Sequence, residues 1–381
     1  MSVVTESGGS AAEMAQLRGR LRDLDSHLLV PPEHLRESIG PLGGLAGGVL
    51  RRAPALRGVL EAGEQDAGPD SVWKTKGFAA PGAFDLERRV AALDVMGIER
   101  QLVLPAVMIA LAVWSPPGRG SGIARRYNRF VAEWSAPRRD RVVPAGLLPT
   151  GDVAAIGREI DAAARAGVSA FAVPHGRPMA DVSPASADFD RIWAQLEEAG
   201  TPAILHVGGE MGFTSKRWAQ TPELDRLHAA NNPESEPIGP WLLATLGLAP
   251  ANYLTTLIYG GVLDRHPNLR IGAIEMGAQW LGPLAEVLDQ RAGMSSRTRA
   301  LSLKPSEYLR RHVRVTPFPQ EPVDVYLDRW GLDEVWSFSS DFPHAEGGTA
   351  PIDDYSQMLS GPDRAEQRGR FFVENGSLLI G

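Results

Sequence analysis

The stretch RDLDSHLLVPPEH, residues 22–34, sets Asp23, Asp25 and His27 at alternating positions just before a Pro-Pro break. On a strand, residues i, i+2 and i+4 share one face, so three polar, metal-competent groups line up together. Such a face makes a poor core and suits a site at the strand's carboxyl end. Other apolar runs close on residues of the same chemistry. His206 ends the run in AILHVGGE, Glu275 ends the one in IGAIEMGAQW, and in WSFSSDFPHAEGG Asp341 is followed three residues later by His344. Each has a bland role available. A strand-end histidine is often only hydrogen-bonded, Glu275 or Asp341 could cap the next segment, and Asp23 could brace a loop. Jointly they are costly to bury unless paired or bound to an ion. The pattern therefore predicts a metal site built from Asp25, His27, His206, Glu275, Asp341 and His344.

Bringing these residues together requires strands whose carboxyl ends meet. Apolar runs predict strands at about 21–27, 99–106, 142–148, 168–174, 202–207, 270–275, 312–316 and 335–340. Helical spacing fills most gaps, as in 85–97, 151–167, 186–200 and 251–267. Eight alternations predict an α/β fold, a (β/α)8 TIM barrel, whose functional groups gather at one mouth. A doubly wound open sheet is the rival, but no GxGxxG follows the first strand. Two inserts, about 35–84 and 210–250, fall after strand ends and are expected to cap the mouth within a single domain spanning 19–381. Residues 1–18 are small and polar and are expected to form a flexible leader.

Composition narrows the function classes. A net charge of −7 gives no basic footprint for nucleic acid. The absence of cysteine excludes thiolate-bound zinc, cysteine-ligated iron–sulfur clusters and a cysteine nucleophile. No uninterrupted apolar run reaches the roughly 18–20 residues of a membrane helix, and the amino terminus lacks a signal peptide's basic and apolar regions. A cytoplasmic protein, with a homo-oligomer compatible, is the expectation. The inserts carry aromatic residues, and Trp73, Trp114, Phe213 and Trp241 are candidates to line a pocket for a greasy substrate. His175, ending the fourth strand in AVPHGRP, is a candidate contact to substrate or to a ligand.

The stretches DLDSHLLVPPEHL, PAILHVGG, HPNLRIGAIEMGAQWLGP and SSDFPHAEGG, with the closing FFVENGSLLIG, resemble the amidohydrolase superfamily. The likeness is to its amidohydrolase-2 branch, which includes the aminocarboxymuconate semialdehyde decarboxylase group, and runs from about residue 20 to the end. It implies metal ligands at Asp25, His27, His206 and Asp341. The departures carry information. Asp25 stands where the family usually has its first histidine, and Glu275 where the decarboxylases have an acid/base histidine. Losing that histidine removes the proton donor that decarboxylation or hydrolysis would most easily use.

Three imidazoles and three carboxylates exceed what one catalytic zinc takes, typically three protein ligands plus water. Two divalent ions about 3.5–4 Å apart, bridged by Glu275 or Asp341, would use all six. Asp-x-His with a Glu in the sixth strand resembles a small group of dinuclear non-haem iron oxygenases in the superfamily. That resemblance implies two irons, O2 as co-substrate, a separate electron donor or reductase, and hydroxylation of an unactivated C–H bond. The substrate would be a hydrophobic small molecule such as a diterpenoid natural-product intermediate. Two alternatives stay open: a zinc- or manganese-dependent hydrolase or decarboxylase, and a non-catalytic subunit of a hetero-oligomer.

Overall fold

Short apolar runs of this chain pair in parallel, most of them covered by helices. In the computed structural model, which describes residues 13–115, 120–224 and 239–381, the strands are β1 (Leu21–Asp23), β2 (His27–Leu28), β3 (Ile98–Pro105), β4 (Val142–Leu147), β5 (Ala170–Ala172), β6 (Ala203–His206), β7 (Ile271–Ile274) and β8 (Val313–Val315). They run in the order β1-β3-β4-β5-β6-β7-β8, with β2 pairing β3 as well. Every pairing is parallel. β4 to β8 are buried on both faces, as parallel strands under helices must be.

The helices start and stop where local chemistry directs. Asp85 accepts a hydrogen bond from the Arg88 amide to open Leu86–Met96, and Gly97, at φ 77°, closes it. Asp152 and Gly167 do the same for Val153–Ala166. An Asp cap satisfies a free amide at the start, and glycine takes the left-handed turn at the end without Cβ strain.

Two sequence expectations are modified. The first strand breaks into β1 and β2 at Leu24–Ser26, which frees Asp25 from the ladder. The expected eighth strand, 335–340, is not regular: it meets β8 through a single bridge, Val315 to Trp336. Its backbone still joins both neighbours. Ser337 N–H donates to Val315 O at 3.0 Å, and on the other side Leu24 N–H donates to Phe338 O at 3.1 Å. Asp341 N–H donates to Asp25 O at 2.9 Å and His27 N–H to Phe342 O at 2.8 Å. The curled sheet is thus carried round toward its first strand, giving a TIM-like α/β barrel.

Of the expected leader, residues 1–12 lie outside the described residues. Residues 13–18 pack on the barrel, with Met14 buried and Glu13 paired to Arg368 at 3.1 Å. The insert at 35–84 holds three helices, Leu35–Ile39, Pro41–Leu50 and Pro54–Ala62. Of the 210–250 insert, residues 225–238, including His228, lie outside the described residues. The helical stretch Pro240–Tyr259 is long and apolar enough to cross a membrane by composition, but Tyr253, Leu254, Leu257 and Ile258 sit in the barrel's core.

Candidate metal centre

All six expected donors come together, from five places in the chain. His27 lies on β2, His206 ends β6, and Glu275 directly follows β7. Asp25 sits in the break of the first strand, while Asp341 and His344 follow the irregular 335–340 segment. Two overlapping sets of donor atoms lie mutually within 4.8 Å: Asp25, His27, His206 and Glu275, and then His27, Asp341 and His344. His27 belongs to both. Its Nε2 is 3.3 Å from Asp25 Oδ1, 3.6 Å from Glu275 Oε2 and 3.3 Å from Asp341 Oδ1. His206 Nε2 lies 3.0 Å from Glu275 Oε2 and 3.7 Å from Asp25 Oδ1. His344 Nδ1 lies 3.1 Å from Asp341 Oδ1, and its ring stacks on His27 with centroids 4.0 Å apart.

Apart from the hydrogen bond between His344 Nδ1 and Asp341 Oδ1, these atoms are close but not paired as hydrogen bonds require. Asp25 Oδ1, both His27 ring nitrogens, His206 Nε2, both Glu275 oxygens and Asp341 Oδ2 are buried without a hydrogen-bond partner. Leaving so many polar atoms unsatisfied in a dry interior is expensive. His206 donates its Nδ1–H to Val207 O at 3.1 Å, which turns the Nε2 lone pair toward the carboxylates. The donor set, its burial and its open valences fit divalent cations. With two such ions, four positive charges face three carboxylates.

Charge crowding acts in the same direction. Burial disfavours a charged His27, yet Asp25, Asp341 and Glu275 hold its pKa well above the usual histidine value. Against the same burial, Asp25 and Glu275 push His206 up to about 10. Burial also works against the Asp341 charge, but His344 and His27 hold that carboxyl well below the usual range. Such a cluster wants cations, which bound metals would supply in place of protons.

A second ring of buried groups fixes the donors. Asp23 Oδ1 accepts from the Asp25 amide at 3.2 Å and the Ser340 amide at 2.9 Å; its Oδ2 accepts from Ser340 Oγ at 2.5 Å and Gln101 Nε2 at 2.7 Å. Gln101 in turn accepts from Arg89 at 3.0 Å, and Arg89 donates to His27 O at 2.6 Å. Arg89 and Gln101 carry no local sequence signal for this task, because their partners lie far along the chain. On the far side, Glu275 N–H donates to Thr316 Oγ1 at 3.1 Å.

Three neighbouring cavities surround the mouth. One of about 770 Å³ is lined almost wholly by apolar groups of the first insert and of Val107–Trp114, among them Leu35, Val49, Phe78 and Leu111, and reaches His344. A second, about 440 Å³, contains Glu210, Phe213 and Trp241 in its wall. A third, about 800 Å³ and more polar, includes Trp114, Arg177 and Phe213. Trp73 lines none of these and instead meets Phe342 edge-on at 6.2 Å. Trp114 is anchored by its indole N–H to Leu148 O at 2.9 Å. His175 joins neither donor set: its Nδ1–H donates to Val173 O at 3.3 Å, and burial drives its pKa down to about 3.

Comparison with known proteins agrees with this architecture. Residues 94–376 match the amidohydrolase family. The chain belongs to the amidohydrolase family. No curated protein matches it. Among solved structures, an amidohydrolase from Mycobacterium avium subsp. paratuberculosis superposes with a TM-score of 0.67 at 19% identity, covering 95% of this chain and 99% of that one. The 5-carboxyvanillate decarboxylase of Novosphingobium aromaticivorans, solved with manganese and 4-hydroxy-3-methoxy-5-nitrobenzoic acid, gives 0.62 at 20% identity, covering 95% and 96%. The 2,6-dihydroxybenzoate decarboxylase from Rhizobium gives 0.61 at 19% identity, covering 95% and 98%. At these identities the likeness concerns the fold.

Sequence reasoning passed over three further ionisable residues, Glu210, Lys76 and Glu346. Lys76 Nζ is buried near Asp341 and Glu346, and burial lowers its pKa. Glu210 stood four residues beyond His206 in HVGGE, a signal that a search for strand-end donors passes over.

Proposed function

We propose that this protein is a metal-dependent enzyme that binds two divalent ions, iron favoured, and hydroxylates an unactivated C–H bond of a hydrophobic small molecule with O2. The observation that carries the proposal is the donor set itself: three imidazoles and three carboxylates in two overlapping groups joined by His27. Mixed His/carboxylate sites suit iron or manganese. Two redox-active ions held by Asp25, His27, His206, Glu275, Asp341 and His344 would supply O2 activation. Hydroxylation consumes two external electrons, so a separate electron donor belongs to the proposal.

The protein's own part is placement and exclusion of water. His344 lines the 770 Å³ apolar cavity, so an apolar molecule seated there has one member of the donor cluster in its wall. Among the described residues, His344 is the one ionisable side chain in the cavity wall, which favours an uncharged body over a carboxylate. A diterpenoid-like intermediate is compatible with that wall.

The second reading is a manganese- or zinc-dependent decarboxylase or hydrolase. It is favoured by the solved relatives, whose descriptions name decarboxylases, one of them with bound manganese. Under it the ions would supply Lewis-acid chemistry. Metal analysis with Mössbauer spectroscopy separates the two. About two coupled irons per chain together with O2-dependent turnover support the oxygenase; manganese or zinc and O2-independent release of CO2 from an aromatic acid support the decarboxylase. The intact donor set speaks against a non-catalytic subunit.

A further inference from the structure

The 770 Å³ apolar cavity is open, and large side chains at its opening stand in water. Leu42, Val49 and Met108 line it, yet they are 46%, 70% and 71% exposed. Leu42, Leu45 and Val49 follow the i, i+3, i+7 spacing of one helix face, and Leu45, at 71%, extends that face beyond the cavity wall. Neither helix that carries these residues, Pro41–Leu50 or Val107–Trp114, holds a charged residue. Exposed apolar side chains gathered at one place mark a surface that meets something else.

Charge decides what that something is. From Ser38 to Leu60 the chain has three arginines, Arg51, Arg52 and Arg57, all exposed, and no acidic residue. Glu37, the acid just before this run, faces His34 at 3.5 Å. Arg51 and Arg52 directly follow helix Pro41–Leu50, and Arg57 lies between Leu56 and Val59, which line the same cavity. The 440 Å³ cavity shares Val107, Met108 and Leu111 with the apolar one and has exposed Lys216 in its wall, next to exposed Arg217. Residues 211–222 around this pair also contain no acid. A chain of net charge −7 thus turns an apolar and basic edge outward beside its cavities. A second copy of the chain, docked by twofold symmetry, would set these arginines against their own like. Anionic phospholipid headgroups pair with them instead, while the acyl region takes the leucines.

We propose that this rim rests on the surface of an anionic phospholipid bilayer, with Leu42, Leu45, Val49 and Met108 at the boundary of headgroups and acyl chains and Arg51 and Arg52 among the phosphates. The contact is peripheral and needs no spanning segment. It sets the mouth of the apolar cavity against the acyl chains, so an apolar molecule dissolved there enters without crossing water. That use of the contact rests on reading the cavity as the substrate's seat; the contact itself holds whichever reaction the donor cluster performs.

The test is flotation of the full-length protein with vesicles of equimolar phosphatidylcholine and phosphatidylserine, and with vesicles of phosphatidylcholine alone. Wild type should float with the mixed vesicles, bind the neutral ones about tenfold or more weakly, and come off at high salt. Leu45→Gln, and separately the double change Arg51→Gln with Arg52→Gln, should each weaken binding by about tenfold. None of these three residues lines a cavity. Met294→Gln, at a residue as exposed as Leu45 that lines neither of the two cavities, should bind as wild type does. Wild type that stays unbound, or binds both vesicles alike, overturns the proposal, as does Leu45→Gln binding as tightly as wild type. Sedimentation without lipid supplies the last outcome: a wild-type dimer that Leu45→Gln converts to monomer would show a second copy covering this face, and overturns the proposal too. Metal content is read by elemental analysis on the same preparations, so a failure of the oxygenase reading and a failure of the bilayer contact are separate results.

Discussion

Glu275 and Asp341 share a left-handed backbone conformation, and both aim at His27. Each is a non-glycine residue with a left-handed backbone, φ 56° and 52°, and each points a carboxylate oxygen at the same His27 Nε2, at 3.6 and 3.3 Å. Side chains other than glycine, asparagine and aspartate rarely adopt that conformation, and it persists where surrounding structure enforces it. The conformation aims two acids at one nitrogen, and at Glu275, where it is strained, it belongs to the site and not to the sheet.

Glu275→Gly is expected to separate stability from binding. Removing the side chain relieves about 1 kcal/mol or more of backbone strain and a buried carboxylate. Metal-free protein should melt higher than wild type, while metal content after loading drops steeply. A variant that melts lower and keeps its metal would refute the ligand role.

Asp23→Asn should act through its neighbours. Asp23 accepts from Ser340, Gln101 and the Asp25 amide, so the change leaves a misfit amide among buried donors. A cost of about 1–3 kcal/mol in unfolding free energy is expected. Metal affinity should weaken by about 10–100-fold, as for other groups that orient ligands. Denaturant titration and a metal-binding isotherm check the two halves independently.

Filling the apolar cavity tests its use without knowing the substrate. Ala112 lines the cavity alongside Leu111 and Val49. Ala112→Trp should weaken binding of a neutral apolar dye such as Nile red by about tenfold, or about 1.4 kcal/mol, with metal content unchanged. Equal dye affinity in both proteins would place the apolar ligand elsewhere.

Acid should destabilise the fold partly through His175. Burial holds its pKa at about 3 against an ordinary 6.5. Between those values the unfolded chain takes up a proton that the folded one refuses, so stability falls as pH falls. The slope from this one group is at most about 1.4 kcal/mol per pH unit. His175→Phe should flatten that part of the stability–pH curve, measured by urea unfolding from pH 7 to 4. An unchanged slope would mean that His175 is not buried in its neutral form.

Chelation should lower the melting temperature reversibly. An ion present at 100 times its dissociation constant stabilises the folded state by about 2.7 kcal/mol. Reloading should release protons into unbuffered solution, because His27 and His206 hold them tightly in the cation-free cluster. Calorimetry in two buffers of different ionisation enthalpy counts those protons.

The donors were legible in the sequence because a strand-end position is a local property. Asp25, His27, His206, Glu275 and Asp341 each follow a short apolar run, and the barrel does the rest. What could not be read is what lies far apart in sequence. Asp23 reaches Ser340 across 317 positions, and Arg89 reaches His27 across 62. The wall of the apolar cavity at His344 was not legible for another reason. Trp73 and Trp114 were chosen by residue type, whereas the cavity at His344 is walled by ordinary aliphatic residues of PLGGLAGGVL and VMIALAVW, which resemble any buried helix. The eighth strand had the right apolar run, but its pairing lapses to one bridge, where the chain bends to present Asp341.

The hydrogen bond from Asp341 N–H to Asp25 O ties the segment that carries Asp25 and His27 to the one that carries Asp341 and His344. A proteolytic cut anywhere between these segments therefore leaves each piece with only part of the donor set. Two such pieces would have to dock again, edge to edge, before all six groups faced one another.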